Sequence, residues 1–339
     1  MKKKEKISII MSHGGVGDFL FQLDLAKRLE LAGVRSIFLV RKNRFFLNDI
    51  LLNSNVVSAK IVRADGLYYL FSTLYVWLLC LVKKVFIINS FHFTCLRLPT
   101  RIFYRVAKKL SANIIICKKE IDPVYPYKQI IYHEGENIWQ RNNRIVVEVG
   151  NAAAGVGFPV LDFGSVDIEK GDYLHLHPVG SRLEKSYPAA KLVKLLKLFD
   201  KSQKVVITLT PNEGKWYLAE ELVSYVDSQP NLTLIVKHFS FKEIKNLIAG
   251  ASVFCTVNTG LLWVGIMLGK KVVVCDTFTD FEWNPQHYGP VKRIVHSHDE
   301  QGNSLHLKLV KHQDGEYYES MYRITPSEIY YEISALLNG

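Results

Sequence analysis

Ile7-Ser8-Ile9-Ile10-Met11, then Ser12-His13-Gly14-Gly15-Val16-Gly17-Asp18, then the run from Phe19 to Ala32 decide the fold class. A short apolar run, a glycine-rich loop and an amphipathic stretch, in that order, are the first strand, turn and helix of a βαβ unit. The glycines let the backbone turn tightly and let a ligand approach the helix N-terminus, where free amides favour negative charge. The loop is not a dinucleotide fingerprint, because counting from Gly15 and Gly17 puts Leu20 where the third glycine belongs. Asp18 has two readings. It caps the helix, or it stands at the carboxyl edge of the sheet as a general base.

The same alternation continues outward from this stretch. Strands are expected at Ser36–Val40, Lys60–Val62, Val85–Asn89 and Asn113–Cys117, with helices at Arg44–Leu52, Leu67–Val82 and Pro99–Leu110 between them. Gly33 is the expected stop of the first helix. A second series begins at Tyr173–His177 and continues with strands at Lys204–Leu209, Leu232–Val236, Val253–Val257 and Lys271–Cys275. Its helices are expected near 188–200, 214–227, 241–250 and 260–268, with a last one from Pro326. The chain is therefore α/β, two Rossmann-like domains facing across a cleft. The boundaries are 1–168, 169–325, and a closing helix 326–339 that is a candidate to pack back on the N-terminal domain.

Composition excludes a disordered or collagenous chain: of 339 residues, 48% are hydrophobic and 22% charged. The net charge of +11 is unevenly placed. The first 119 residues hold 21 basic and 6 acidic side chains, and residues 83–119 hold nine basic and no acidic ones. The five cysteines lie singly in apolar runs, which reads as buried, reduced thiols in a cytosolic protein. The lysines at 2–4 precede an apolar run too short for a secretory signal. Leu67–Val82 is uncharged, but 16 residues of helix reach about 24 Å against a hydrocarbon core of about 30 Å. It reads as a buried or surface-docked helix.

Three further loops carry candidate chemistry. His177-Pro178-Val179-Gly180-Ser181-Arg182-Leu183-Glu184-Lys185-Ser186-Tyr187-Pro188 follows the first strand of the second series, and Arg182 and Lys185 there can neutralise a phosphate. The plainer reading is a solvated basic loop. Thr256-Val257-Asn258-Thr259-Gly260 places small polar residues at a helix N-terminus, as a pyrophosphate seat or as a simple N-cap. Asp276-Thr277-Phe278-Thr279-Asp280 lies at the same sheet edge. His175-x-His177 and His296-x-His298 read as ordinary histidines, and no metal site is expected.

With these motifs in order, the chain resembles glycosyltransferase family 9, the lipopolysaccharide heptosyltransferase-like enzymes of GT-B fold. The matches are Gly17-Asp18, His177-Pro178-Val179-Gly180, Lys185-Ser186-Tyr187-Pro188, Asn258-Thr259-Gly260, Gly269, Thr277–Asp280 and Ile324-Thr325-Pro326-Ser327-Glu328-Ile329. The resemblance implies an inverting, metal-independent transfer from a nucleotide sugar, commonly ADP-heptose, to an inner-core lipopolysaccharide sugar, with no cofactor. It makes Asp18 the base and lets Arg182 or Lys185 stabilise the departing diphosphate, so that Asp18 and Lys185 form the catalytic set. The donor set it implies is His177, Gly180, Ser181, Arg182, Thr210, Asn258, Thr259, Gly260 and Thr277. His13, Gly15 and Gly17, with Arg97, Arg101 and Arg105, are assigned to the acceptor and membrane side. The family's usual Asp and His stand here as Asn258 and Trp263, which points to a changed donor or weakened activity.

The cationic first half supports an anionic glycolipid acceptor independently. It also supports peripheral attachment to the inner leaflet of the cytoplasmic membrane. The competing readings are a non-catalytic module of the same fold that binds glycolipid or nucleotide, and a nucleic-acid binder, for which no recognition module accompanies the charge.

Overall fold

The computed structural model describes residues 5–12, 15–40, 47–65, 67–89, 98–118, 127–131, 133, 135–149, 161–163, 171–277, 285, 289–305, 308–312 and 315–338, without the side chains of 98–101 and 118. The chain divides into two compact units, Met1–Gly164 and Ser165–Gly339.

The first unit runs β1 (Lys6–Met11), α1 (Val16–Leu31), β2 (Val34–Val40), α2 (Leu47–Leu52), β3 (Lys60–Arg63), α3 (Leu67–Val82), β4 (Lys84–Asn89), α4 (Leu98–Lys109), β5 (Asn113–Lys118), β6 (Lys128–Ile131) and α5 (Ile138–Glu148). Its sheet has the order β3-β2-β1-β4-β5-β6, and every pairing is parallel. A parallel sheet must be covered on both faces, which is why its strands read as near-continuous apolar runs. Ile7, Ile9 and Met11 of β1 share one core with Val76 and Cys80 of α3 and Phe103, Tyr104 and Ala107 of α4. Between β1 and β2, Ser8 and Ser36 pair through their hydroxyls at 2.8 Å. Gly33, at φ +75°, ends α1 in the left-handed conformation that glycine adopts without a Cβ penalty.

The second unit runs β7 (Tyr173–His177), a single 3-10 turn (Leu183–Lys185), α6 (Ala189–Leu196), β8 (Lys204–Leu209), α7 (Pro211–Tyr217), α8 (Glu220–Asp227), β9 (Leu232–Val236), α9 (Phe241–Gly250), β10 (Val253–Val257), α10 (Gly260–Met267), β11 (Val272–Asp276), β12 (Val291–Val295), β13 (Leu309–His312), β14 (Gly315–Tyr318), α11 (Glu319–Arg323) and α12 (Pro326–Asn338). The sheet order β12-β11-β10-β7-β8-β9 is the same winding as in the first unit, again parallel throughout. Both units are thus Rossmann-like.

Several expectations are revised. The stretch 214–227 is two helices, since Leu218 and Ala219 are extended between α7 and α8. Strands β6 and β12 are additions; Lys128, Lys292 and Arg293 interrupt their apolar pattern because each strand lies at a sheet edge. The closing helix α12 belongs to the second unit. Ile329, Ile333 and Leu336 are buried in the core of the second unit with Leu192 and Val193 of α6. On α4 the side chains packed in the core are Phe103, Tyr104 and Ala107, while Ile102 is 48% exposed.

Candidate functional site

In a sheet of this winding the strand order reverses between the first and fourth strands, and ligands bind outside the carboxyl ends there. In the second unit those strands are β7 and β10, in register with Thr256 opposite His177. The loops 178–188 and 258–260 therefore come together at the reversal, and β11, whose Cys275 pairs with Val257, brings Asp276 and Thr277 beside them. Three loops that were separate in the sequence share one edge.

The first loop is closed on itself. Tyr187 N–H donates to Pro178 O at 2.8 Å. Gly180 N–H donates to Ser186 Oγ at 2.9 Å, and that hydroxyl donates to Arg182 O at 2.9 Å. A Cβ on Gly180 would stand 2.8 Å from both Cβ and O of Lys185, so only glycine fits without displacing the backbone. Leu183 seats the loop against the β13–β14 hairpin, where a Cβ on Gly315 would meet its Cδ2 at 2.7 Å. Arg182 Nη2 donates to Tyr318 Oη at 3.3 Å. Ser181 and Arg182 are exposed and Lys185 is half-buried. Neither cation forms an ion pair among the described residues, so the positive charge on this rigid loop has no protein counter-anion there.

His177 lies at the end of β7 with Nδ1 2.9 Å from Thr208 O. A carbonyl only accepts, so Nδ1 carries the proton and the neutral ring keeps its lone pair at Nε2. Burial holds the His177 imidazole below its ordinary pKa, against the opposing influence of Glu213 and of the Thr208 bond. His175, with Nε2 2.8 Å from Thr208 Oγ1, is pushed down to about 3 by burial and by His177. Both rings are neutral at physiological pH.

At the next strand end Asp276 is fully buried beneath the second and third loops. Its Oδ1 accepts from Asn258 Nδ2 at 3.2 Å and from Thr277 N–H at 2.8 Å, while Oδ2 accepts from Arg293 Nε at 2.8 Å. The amide at 258 has a local reason: a carboxylate in its place would face Asp276 without a proton to share. Thr259 is the N-cap of α10 but makes no side-chain cap bond, and its buried Oγ1 has no partner among the described residues. Among those residues no side chain caps the first amides of α10, unlike those of α7, where Thr210 accepts from Glu213 N–H at 3.3 Å. Thr210 thus has a capping role in the structure. Trp263 is 3% exposed, so its ring is packed inside.

In the first unit the corresponding reversal lies between β1 and β4. Asp18, third residue of α1, accepts from Gly15 N–H through Oδ2 at 2.7 Å and is half-buried. Both readings of this residue meet in one place, since the capping carboxylate also stands at the carboxyl edge. Gly15 is the extended N-cap and Gly17 lies in the first turn. Beside them Ser12, which follows β1, and Asn89, which ends β4, are buried polar residues. Arg105 is exposed on α4. His13 and Arg97 lie outside the described residues, as does the side chain of Arg101.

The residues that sequence reasoning missed are Asp276 as the anchor of Asn258 and its partner Arg293. The available signal was an acid ending the buried run Val272-Val273-Val274-Cys275-Asp276. Among the described residues no group of three or more His, Cys, Asp or Glu side chains is placed to hold a metal ion.

No family model matches the sequence, and no curated protein matches it by sequence. Solved structures do match by fold. Heptosyltransferase II of E. coli, described as an ADP-heptose lps heptosyltransferase, superposes with a TM-score of 0.71 at 12% identity, covering 98% of both chains. A glycosyl transferase of family 9 from Veillonella parvula gives 0.69 at 14% identity, over 100% of this chain and 99% of that one. The E. coli heptosyltransferase WaaC, solved with ADP, gives 0.65 at 12% identity over 97% and 99%. The chain has the heptosyltransferase-like GT-B fold.

Proposed function

We propose that the protein is a glycosyltransferase that moves a sugar, heptose or another, from a nucleotide-sugar donor to a lipopolysaccharide core or related glycolipid. The observation that carries this reading is the rigid loop 178–188 beside the first amides of α10: among the described residues its two cations have no counter-anion and those amides no side-chain cap. Such a place suits a diphosphate. The likeness in fold to structures described as heptosyltransferases supports the same class.

In this reading the acceptor hydroxyl oxygen attacks the anomeric carbon as the bond to the diphosphate breaks, inverting that centre. The electron pair leaves with the diphosphate, which Arg182 and Lys185 stabilise without a metal, and the proton passes to the Asp18 carboxylate. His177 Nε2 offers the donor an acceptor, Ser181, Thr259, Gly260 and the Thr277 hydroxyl offer donors, and Gly180, whose N–H is held by Ser186, shapes the loop that carries them. Asn258 presents the donor with an uncharged group. The cationic first half suits an anionic glycolipid, and the protein then works in the cytoplasm, attached peripherally to the inner membrane.

A second reading, a binding module without turnover, is favoured by one observation: the Asn258 amide is committed to Asp276. Titration calorimetry with a panel of nucleotide sugars, beside a transfer assay, separates the two. The enzyme reading expects Asp18→Asn to bind donor as the native protein does and to lose transfer by ~100-fold or more, the scale of general base catalysis. Full turnover in Asp18→Asn and Asp18→Ala removes that mechanism, and binding without product supports the second reading.

A further inference from the structure

Helix α3 is built inside out. Its inward face carries Ser72, Thr73, Val76 and Cys80, three of them small and polar or thiol-bearing. Its outward face carries Leu70, Phe71, Leu74, Leu78 and Leu81, each at least half exposed, with Leu67 and Val82 at its ends. At 100° per residue these outward positions, with Tyr68 and Tyr75, fill one continuous arc of about 160° opposite the buried one. An ordinary surface helix turns its apolar stripe inward, so an arc of this size is a partner surface.

Three observations choose the partner. The helix has no charged residue from 67 to 82, yet no helix among the described residues is long and apolar enough to cross a membrane. The neighbouring helix on the same sheet face, α4, exposes Arg105, Lys108 and Lys109, and Lys84 is exposed at the start of β4. Residues 83–119 hold no acid, so a second copy laid on this face would bring like charges together. An apolar arc rimmed by cations fits an anionic lipid surface.

We propose that α3 lies flat in the head-group region of an anionic bilayer, with its outward arc among the acyl chains and the cations of α4 against the lipid phosphates. Tyr68, whose ring lies 4.2 Å under the Arg63 guanidinium, and Tyr75 then sit at the level where amphipathic rings gather. This deepens the peripheral attachment proposed above and rests on that reading for the acceptor's location. The geometry of α3 stands without it.

The test is flotation of the full-length protein with vesicles of phosphatidylcholine alone and of phosphatidylcholine with phosphatidylglycerol. Binding is expected to the mixed vesicles and to weaken with salt. Phe71→Ser/Leu74→Ser/Leu78→Ser is expected to lose at least ~100-fold in vesicle affinity. Lys84→Glu/Lys108→Glu/Lys109→Glu is expected to lose a similar factor at low salt. Donor titration should be unchanged in both, so a failed glycosyltransferase reading and a failed lipid reading give different results. A tryptophan introduced on the arc by Phe71→Trp should add a fluorescence component that brominated lipids quench, a readout that does not depend on the triple variants folding. Equal binding of native and triple-variant protein overturns the proposal. So does a lipid-free dimer that Phe71→Ser/Leu74→Ser/Leu78→Ser dissociates.

Discussion

The two units share one winding and differ in where they put polarity. In the first, the contact between α1 and α5 is polar at its centre. Fully buried Arg28 donates to Asp24 Oδ2 at 2.7 Å and to Asn143 Oδ1 at 2.6 Å, and Asn142 donates to the same Asp24 oxygen at 3.0 Å. The same unit exposes the apolar face of α3. In the second unit the helices α6, α8 and α12 share a continuous apolar core, and a buried ion pair lies within the sheet, between Asp276 at the end of β11 and Arg293 in the middle of β12. Strand order depends on crossover handedness and on two-sided burial, and it tolerates either arrangement. Surface and edge chemistry are free to diverge between the halves.

The largest effect should come from breaking the buried cluster of the first unit. Asp24→Ala leaves the Arg28 charge without its carboxylate in the interior and should cost about 3–5 kcal/mol. Urea unfolding followed by tryptophan fluorescence should show an earlier transition for the first unit and little change in the second. Loss of both together would mean that the units do not unfold independently.

Asn258→Asp sharpens the same comparison at the second unit's edge, with an expected cost of about 1–3 kcal/mol at neutral pH. The new carboxylate faces Asp276, so a proton is taken up to share between them and the pair titrates above the ordinary carboxylate range. The deficit relative to native protein should shrink as pH falls from 7 to 5. A deficit that stays constant over that range would show that Asp276 does not face position 258.

The effect that is smallest near neutral pH, and grows as pH falls, concerns the neutral histidines of β7. His175 is held near 3 and His177 below its ordinary value, so the folded state stays unprotonated where the unfolded chain binds protons, below about 6.5. Stability should therefore fall as pH drops through that value, by up to about 1.4 kcal/mol per pH unit for each group. Melting temperature against pH checks this, and His175→Gln should flatten the profile.

Much of the edge chemistry was legible because it follows strand ends. His177, Asn258 and Thr277 each close or follow a buried run, and parallel register then forces them together. The cap at Asp18 was legible as one of two roles, since a carboxylate three positions into a helix has a backbone amide within reach. The capping role of Thr210 was not legible, because it depends on Glu213 returning the bond. Edge strands β6 and β12 were illegible because half of each faces water and lysine or arginine breaks the apolar run.

The order of apolar runs, glycine turns and amphipathic stretches determined by itself that this chain winds into two parallel α/β units, because each short run needs cover on both faces. Only the tertiary structure decided which side of α3 meets water and why an amide stands at 258. Both depend on what a neighbouring element presents, on the sheet face beneath Ser72 and Val76 and on the carboxylate of Asp276, and periodicity along one helix carries no information about the surface it will meet.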